Sequence, residues 1–347
     1  MLKTRYFYSF IFLFCSVNSF AESDSLLKNL KQALESKIDD TVRIRILSEI
    51  VDNTYDFAIW PRYNELALEL ANSHLPNSDS SAAFVYNKYK GYALNNKGLQ
   101  LEYEGNRVLA LKYYQESLAL HRMNSYKKGM SSSLNNIGSM LYDQEEYGLA
   151  LNYYNESIKI KQELGYEEGL AWTYMNIGSL EEKLKRNESA LNYYTKAYKI
   201  HSKLNNVYGI GAAAHNVGNI LMKTSGNIDI AINKYRESLR CYTDVGDSTG
   251  ISWELGIIGH ELFRGGQKDS AIYYVDRSLR MAENNNYQEG IVAAAGHLVE
   301  IYKTLEKYEL AFKYQMVKKA VEDSILSNKI ENEIVKTEMQ FVHNQEK

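Results

Sequence analysis

The chain has 347 residues and a formal net charge of −3, so it lacks the basic excess that would hold nucleic acid. Its two prolines, Pro61 and Pro76, both lie early, which leaves everything after them free to be helical. Tyrosine is abundant, at 29 residues, while the two cysteines, Cys15 and Cys241, are too few for a disulfide framework.

The first segment reads as a secretory signal over residues 1–21. Lys3 and Arg5 form a basic start, Tyr6 to Val17 a short apolar run, and Ser19-Phe20-Ala21 a small-x-small cleavage site. The competing reading is an uncleaved anchor, but the run is shorter than the ~20 residues a span needs. Phe14 before Cys15 does not suit a lipidation site, and cleavage leaves Cys241 alone as an inert core thiol. No other stretch is apolar enough to cross a membrane, so the expected product is a soluble, exported protein, periplasmic or secreted.

Residues 22–40 are polar and predict a leader helix. Residues 41–90 predict a degenerate helix pair: Val42, Ile44, Ile46, Leu47 and Ile50 mark its first helix, and Leu66, Ala67, Leu70 and Ala71 its second. The run from Pro76 to Ser80 then breaks the chain.

From residue 91 the sequence becomes periodic. Ala110, Ala150, Ala190, Ala231, Ala271 and Ala311 follow one another at spacings of 40, 40, 41, 40 and 40. Gly98, Gly138, Gly178, Gly218 and Gly259 keep step, twelve or thirteen residues ahead of their alanines. Glycine within a helix costs ~1 kcal/mol relative to alanine, so glycines on one period imply close helix packing. Each unit reads as two helices. Ser131 to Tyr142 and Glu146 to Leu164 are the pair in the second, with apolar residues on the latter at spacings of three and four. Turns such as Gly165 to Gly169, Asn205 to Gly209 and Val245 to Gly250 separate one unit from the next. A period of this length signals a solenoid with a repeated binding surface. Residues 321–347 leave the repeat. Ile325, Ile330, Ile334 and Met339 punctuate a charged helix there, readable either as a polar cap or as a coiled-coil segment that would allow a dimer.

Leu134, Ile137-Gly138, Leu141, Ala150, Tyr154 and Ser157 resemble the tetratricopeptide repeat in the order of their large, Leu-Gly, aromatic and small residues. Tyr174, Ile177-Gly178, Ala190, Tyr194 and Ala197 repeat the match, with Glu181 departing from an apolar position. The period of 40 exceeds the usual ~34, as in long-helix variants of that family. The resemblance spans 91–320 and implies an all-α, right-handed α-solenoid of six or seven helix pairs over 41–320. The whole chain also resembles the extracytoplasmic sensor region of bacterial signalling proteins, without a membrane span or output domain.

The chemistry is sparse. Seven histidines are scattered, with none paired to another His or Cys at helical spacing, so no metal site, cofactor or catalytic group is expected. What recurs is asparagine. Asn96, Asn136, Asn176 and Asn216 lie 40 apart, two residues before the repeat glycine, and the ladder ends at Ile257 and His297. The resemblance implies that this position faces a concave groove, where an amide can donate to and accept from a peptide bond of any sequence. Tyr92, Asn95, Asn135, Trp172, His215, Asn219 and Trp253 are its expected neighbours, with Ser139, Ser179 and His260 one turn further on. The groove lacks the lysines and arginines of a carboxylate clamp. Two readings stay open: the amides grip an extended peptide, or they bond within the groove and hold adjacent helices. Tyrosine pairs such as Tyr153-Tyr154 fall on the outer helices and are expected to pack in the core with hydroxyls reaching water.

The sequence therefore predicts a non-catalytic protein- or peptide-binding module, a sensor or scaffold in bacterial signalling. The alternatives are an envelope scaffold using its convex face, or a truncated sensor. Export predicts a mature chain beginning at Glu22. N-terminal sequencing of protein recovered from the envelope or medium checks this, and an intact Met1 on a cytoplasmic pool rejects it.

Overall fold

The computed structural model describes residues 20–54 and 59–345, which leaves most of the expected signal segment, residues 1–19, outside the description. Every regular element among the described residues is helical. Helix α1 (Phe20–Glu35) precedes seven helical hairpins. They pair α2 (Asp40–Asn53) with α3 (Trp60–His74), α4 (Ser80–Tyr103) with α5 (Arg107–Met123), and α6 (Lys127–Asp143) with α7 (Tyr147–Glu163). Then come α8 (Glu167–Lys183) with α9 (Asn187–Lys203), α10 (Val207–Ser225) with α11 (Ile228–Asp244), α12 (Ser248–Arg264) with α13 (Lys268–Asn284), and α14 (Gln288–Thr304) with α15 (Tyr308–Gln345).

Local chemistry sets the helix ends. Pro61 sits in the first turn of α3, where its missing N–H is no loss, and Pro76 lies in the single 3-10 turn that follows that helix. Asp39, Asp79, Asn106, Asn227 and Asp247 cap the helices they precede through their side-chain oxygens. Each short turn passes through a left-handed residue, glycine at Gly105 and Gly165 but Glu145, Lys185 and Asn205 elsewhere.

The chain divides into two compact units, Met1–Asn206 and Val207–Lys347. In the first, three apolar clusters fill the hairpins in succession, centred on Ile44 and Ala71, on Tyr114 and Ile137, and on Tyr154 and Ile177. In the second, Tyr235, Ile258, Val275, Leu298 and Ile301 belong to one cluster. Within the first unit the leading helices touch, α2 on α4, α4 on α6 and α6 on α8, and within the second α12 touches α14. These leading helices form the inner layer and their partners the outer one. α15 runs unbroken through residue 321, so the last outer helix and the charged tail are one helix.

The repeat glycines have a single structural cause. A Cβ built on Gly98, Gly138, Gly178 or Gly218 would stand 2.5–2.7 Å from the ring of Tyr114, Tyr154, Tyr194 or Tyr235 on the partner helix. At Gly259 the same place is filled by Val275. These tyrosines are buried, but their hydroxyls do not reach water as expected. Tyr114 donates to Glu102 at 2.7 Å, Tyr154 to Ser139 at 3.2 Å, Tyr194 to Glu182 at 2.9 Å and Tyr235 to Asn219 at 2.9 Å. A second small-residue contact lies deeper: Ser117 donates to the Gly91 carbonyl and Ser157 to the Ser131 carbonyl, each at 2.7 Å. Cys241 is buried, and desolvation pushes its thiol up to about 11, as an inert core residue requires.

Gly138→Leu and Gly178→Leu should each cost ~1–3 kcal/mol or more by overpacking the tyrosine ring. Gly148, with nothing within 4 Å of its added Cβ, is the control. Gly148→Ala should gain up to ~1 kcal/mol. Thermal melts of the three variants check the opposite signs.

Candidate functional site

The candidate groove residues lie on the inner helices: Tyr92, Asn95 and Asn96 on α4, Asn135 and Asn136 on α6, and Trp172 and Asn176 on α8. In the second unit His215, Asn216 and Asn219 stand on α10, and Trp253 and His260 on α12. Of the two readings open for the ladder amides, burial favours the internal one for three of the four. Asn136 is 6% exposed, Asn176 9% and Asn216 2%, while Asn96 is half-buried. Trp172, expected at the surface, is 4% exposed and packs on the His201 ring at a centroid distance of 4.5 Å.

The buried amides bond from one hairpin to the next. Asn136 Nδ2 donates to Asn95 Oδ1 at 3.2 Å, and Asn176 Nδ2 to Asn135 Oδ1 at 3.3 Å. Thr173 Oγ1 lies 2.9 Å from that same Asn135 oxygen and receives a 2.7 Å bond from Lys161 Nζ. Lys161 is fully buried, and desolvation pulls its ammonium down to about 7. Sequence reasoning missed Lys161 and Thr173. The signal was available, since Lys161 stands 40 residues from both His121 and His201, the other two buried polar side chains of that repeat position.

The second unit carries its own network. His215 Nδ1 lies 2.7 Å from Glu254 Oε1, and its Nε2 lies 2.9 Å from Asn219 Nδ2. Ser238 Oγ donates to the same Glu254 oxygen at 3.0 Å. Glu254 is fully buried and was not anticipated. Each unit keeps some half-buried polar and aromatic groups on its inner helices: Asn95, Asn96 and Ser139 in the first, and Asn219, Trp253 and His260 in the second. Tyr92 is half-buried too, with its hydroxyl 2.6 Å from that of Tyr126.

A profile described as tetratricopeptide repeat matches residues 90–163 and 129–203. Residues 90–203 are therefore tetratricopeptide-type repeats, and the helical hairpins of each unit share that repeat architecture. No curated protein matches it in sequence. Among solved structures, the apo form of RapI aligns with 88% of this chain and 99% of its own, with a TM-score of 0.57 at 14% identity. A Rap protein complexed with competence and sporulation factor covers 88% and 99%, with a TM-score of 0.52 at 13% identity. Aspartyl phosphate phosphatase F from Bacillus subtilis covers 89% and 96%, with a TM-score of 0.55 at 12% identity. At these identities the likeness is one of fold.

The repeat array also buries imidazoles. His121 lies between Gly91 and Gly129, where a Cβ on either would stand 2.4 Å from its ring, and His201 lies against Trp172. Neither ring has a hydrogen-bond partner, and desolvation holds both down to about 4 from 6.5. Between those values the unfolded chain binds protons that the folded chain refuses. Stability is therefore full above about pH 6.5 and is lost as pH falls toward 4, by ~1–2 kcal/mol per histidine at pH 5. Urea denaturation at pH 7.5 and pH 5 should show this loss. A His121→Leu/His201→Leu double variant should show a clearly smaller one, whatever its absolute stability.

No helix among the described residues is long and apolar enough to cross a membrane. α15 exposes Tyr308, Phe312 and Met316, then Leu326, Ile330 and Ile334, each series at spacings of four.

Proposed function

We propose that the chain is a non-catalytic module that binds a protein or an extended peptide along its inner helices, as a sensor or scaffold in bacterial signal transduction. The observation that carries this reading is the set of half-buried amides, hydroxyls and aromatics that the first unit leaves on inner helices whose other faces are packed. Amides and hydroxyls can pair with peptide groups of any sequence, and repeat arrays present such surfaces over long distances. The buried amides take the other role in this reading. Asn136 and Asn176 fix one hairpin against the next, and the ligand meets Asn95, Asn96, Ser139 and Tyr92 on the inner helices of the first unit.

The fold neighbours support a binding role, since one of them was solved in complex with a separate factor. The pattern of residues 1–21 supports a site of action outside the cytoplasm, and the apolar stripe of α15 offers a contact surface for a second copy.

Two sets of variants separate recognition from architecture. Asn136→Ala/Asn176→Ala should lower stability by ~1–3 kcal/mol, because it removes buried inter-hairpin bonds. Asn96→Arg should leave the melt unchanged yet place a bulky charge among those half-buried groups. Panning the immobilised chain against a library of random linear peptides should enrich related sequences, and Asn96→Arg should weaken the best of them at least tenfold. Failure to enrich any sequence, or binding indifferent to Asn96→Arg, rejects the peptide reading.

A further inference from the structure

We propose that His260, His297 and Glu300 form a binding site for one divalent transition-metal ion of zinc-like preference. The three come from two packed helices. His260 stands in the last turns of α12, and His297 and Glu300 lie three residues apart on α14, hence on one face of it. One ligand atom from each lies within 4.8 Å of the other two. Three donors around a tetrahedral zinc at ~2.0–2.1 Å stand roughly 3.4 Å apart. His260 Nε2 and Glu300 Oε2 are already 3.5 Å apart. The two imidazole rings lie with centroids 4.5 Å apart. Closing the set on an ion needs side-chain rotation only.

The surroundings suit a ligand set. His260 Nδ1 lies 3.5 Å from Glu261 Oε1, which leaves Nε2 for the ion. A carboxylate behind a ligating imidazole fixes its tautomer and raises its basicity. Glu261 is itself buried and held by Arg264 at 3.0 Å and 3.3 Å, so the nearby guanidinium is already matched. Glu300, with its side chain 56% exposed, gives the ion a way in. An ion pair alone would account for His260 between two carboxylates, but it gives the second imidazole no role. Two imidazoles and one carboxylate form the donor set of open zinc sites, with a position left for water or for a donor group of a bound ligand. His260 also stands among the half-buried groups named above, but the metal site rests on no part of the peptide reading.

The test uses the full chain freed of any polyhistidine tag, titrated with Zn²⁺ by calorimetry and with Co²⁺ by visible absorption. One equivalent should bind with a micromolar or tighter Kd, and Co²⁺ should give the absorption of a four- or five-coordinate site. His297→Ala and Glu300→Gln should each weaken binding by 10–100-fold. Glu300 is exposed, so Glu300→Gln should fold as the parent does by circular dichroism and keeps the test decisive if His297→Ala does not fold. No binding below millimolar Zn²⁺, or binding unchanged in Glu300→Gln, overturns the proposal.

Discussion

The contact between a helix without a side chain and a tyrosine ring organises each hairpin. Where Gly138 leaves its face bare, the Tyr154 ring fills the place a Cβ would take and brings the two helices closer than any larger residue would allow. Burying an aromatic ring contributes far more than the ~1 kcal/mol that glycine costs its helix. The ring also sets the rotation of its helix, because its hydroxyl must end on Ser139. Once that rotation is fixed, Ser157 is aimed at the Ser131 carbonyl, and the opposite face of the inner helix is turned toward the next hairpin. Val275 in place of tyrosine against Gly259 keeps the close approach but has no hydroxyl to place.

That rotation decides which polar groups are open. It turns Asn135 and Asn136 toward the neighbouring inner helices, where they are sealed, and leaves Asn95, Asn96 and Ser139 nearer the surface. Sealed amides are costly unless bonded: Asn136 Nδ2 and Asn135 Oδ1 find partners in the adjoining hairpins, while Asn135 Nδ2 is buried without one. Polar register thus supplements apolar packing between hairpins. An apolar seam would tolerate sliding, whereas a set of amide bonds has one position in which all are made.

The hairpins were legible because glycine, alanine and tyrosine recur on one period, and their spacing encodes contacts within a hairpin. The fate of the asparagines was not. Both positions sit where the family places groove residues, and exposure there depends on the distance between inner helices, which no residue type reports. Trp172 shows the same limit: a large aromatic in a groove position reads as a recognition residue until His201 is found packed against it. The boundary placed after residue 320 reflects the loss of repeat pattern, but the backbone of α15 needs no repeat to continue as helix.

The polar clusters escaped detection for a different reason. A search for histidines at helical spacing tests whether residues share one turn of one helix. In a repeat array the more productive spacing is the repeat itself, give or take one residue, because the same or an adjoining position in successive hairpins lies face to face. Asn95 meets Asn136 and Asn135 meets Asn176 across 41 residues, and His215 meets Glu254 across 39. His260 and Glu300 are 40 apart, with His297 one turn before the latter. The residues that a solenoid brings together for chemistry are therefore read by aligning its units and looking down each column, where a histidine above a glutamate is a contact rather than a coincidence.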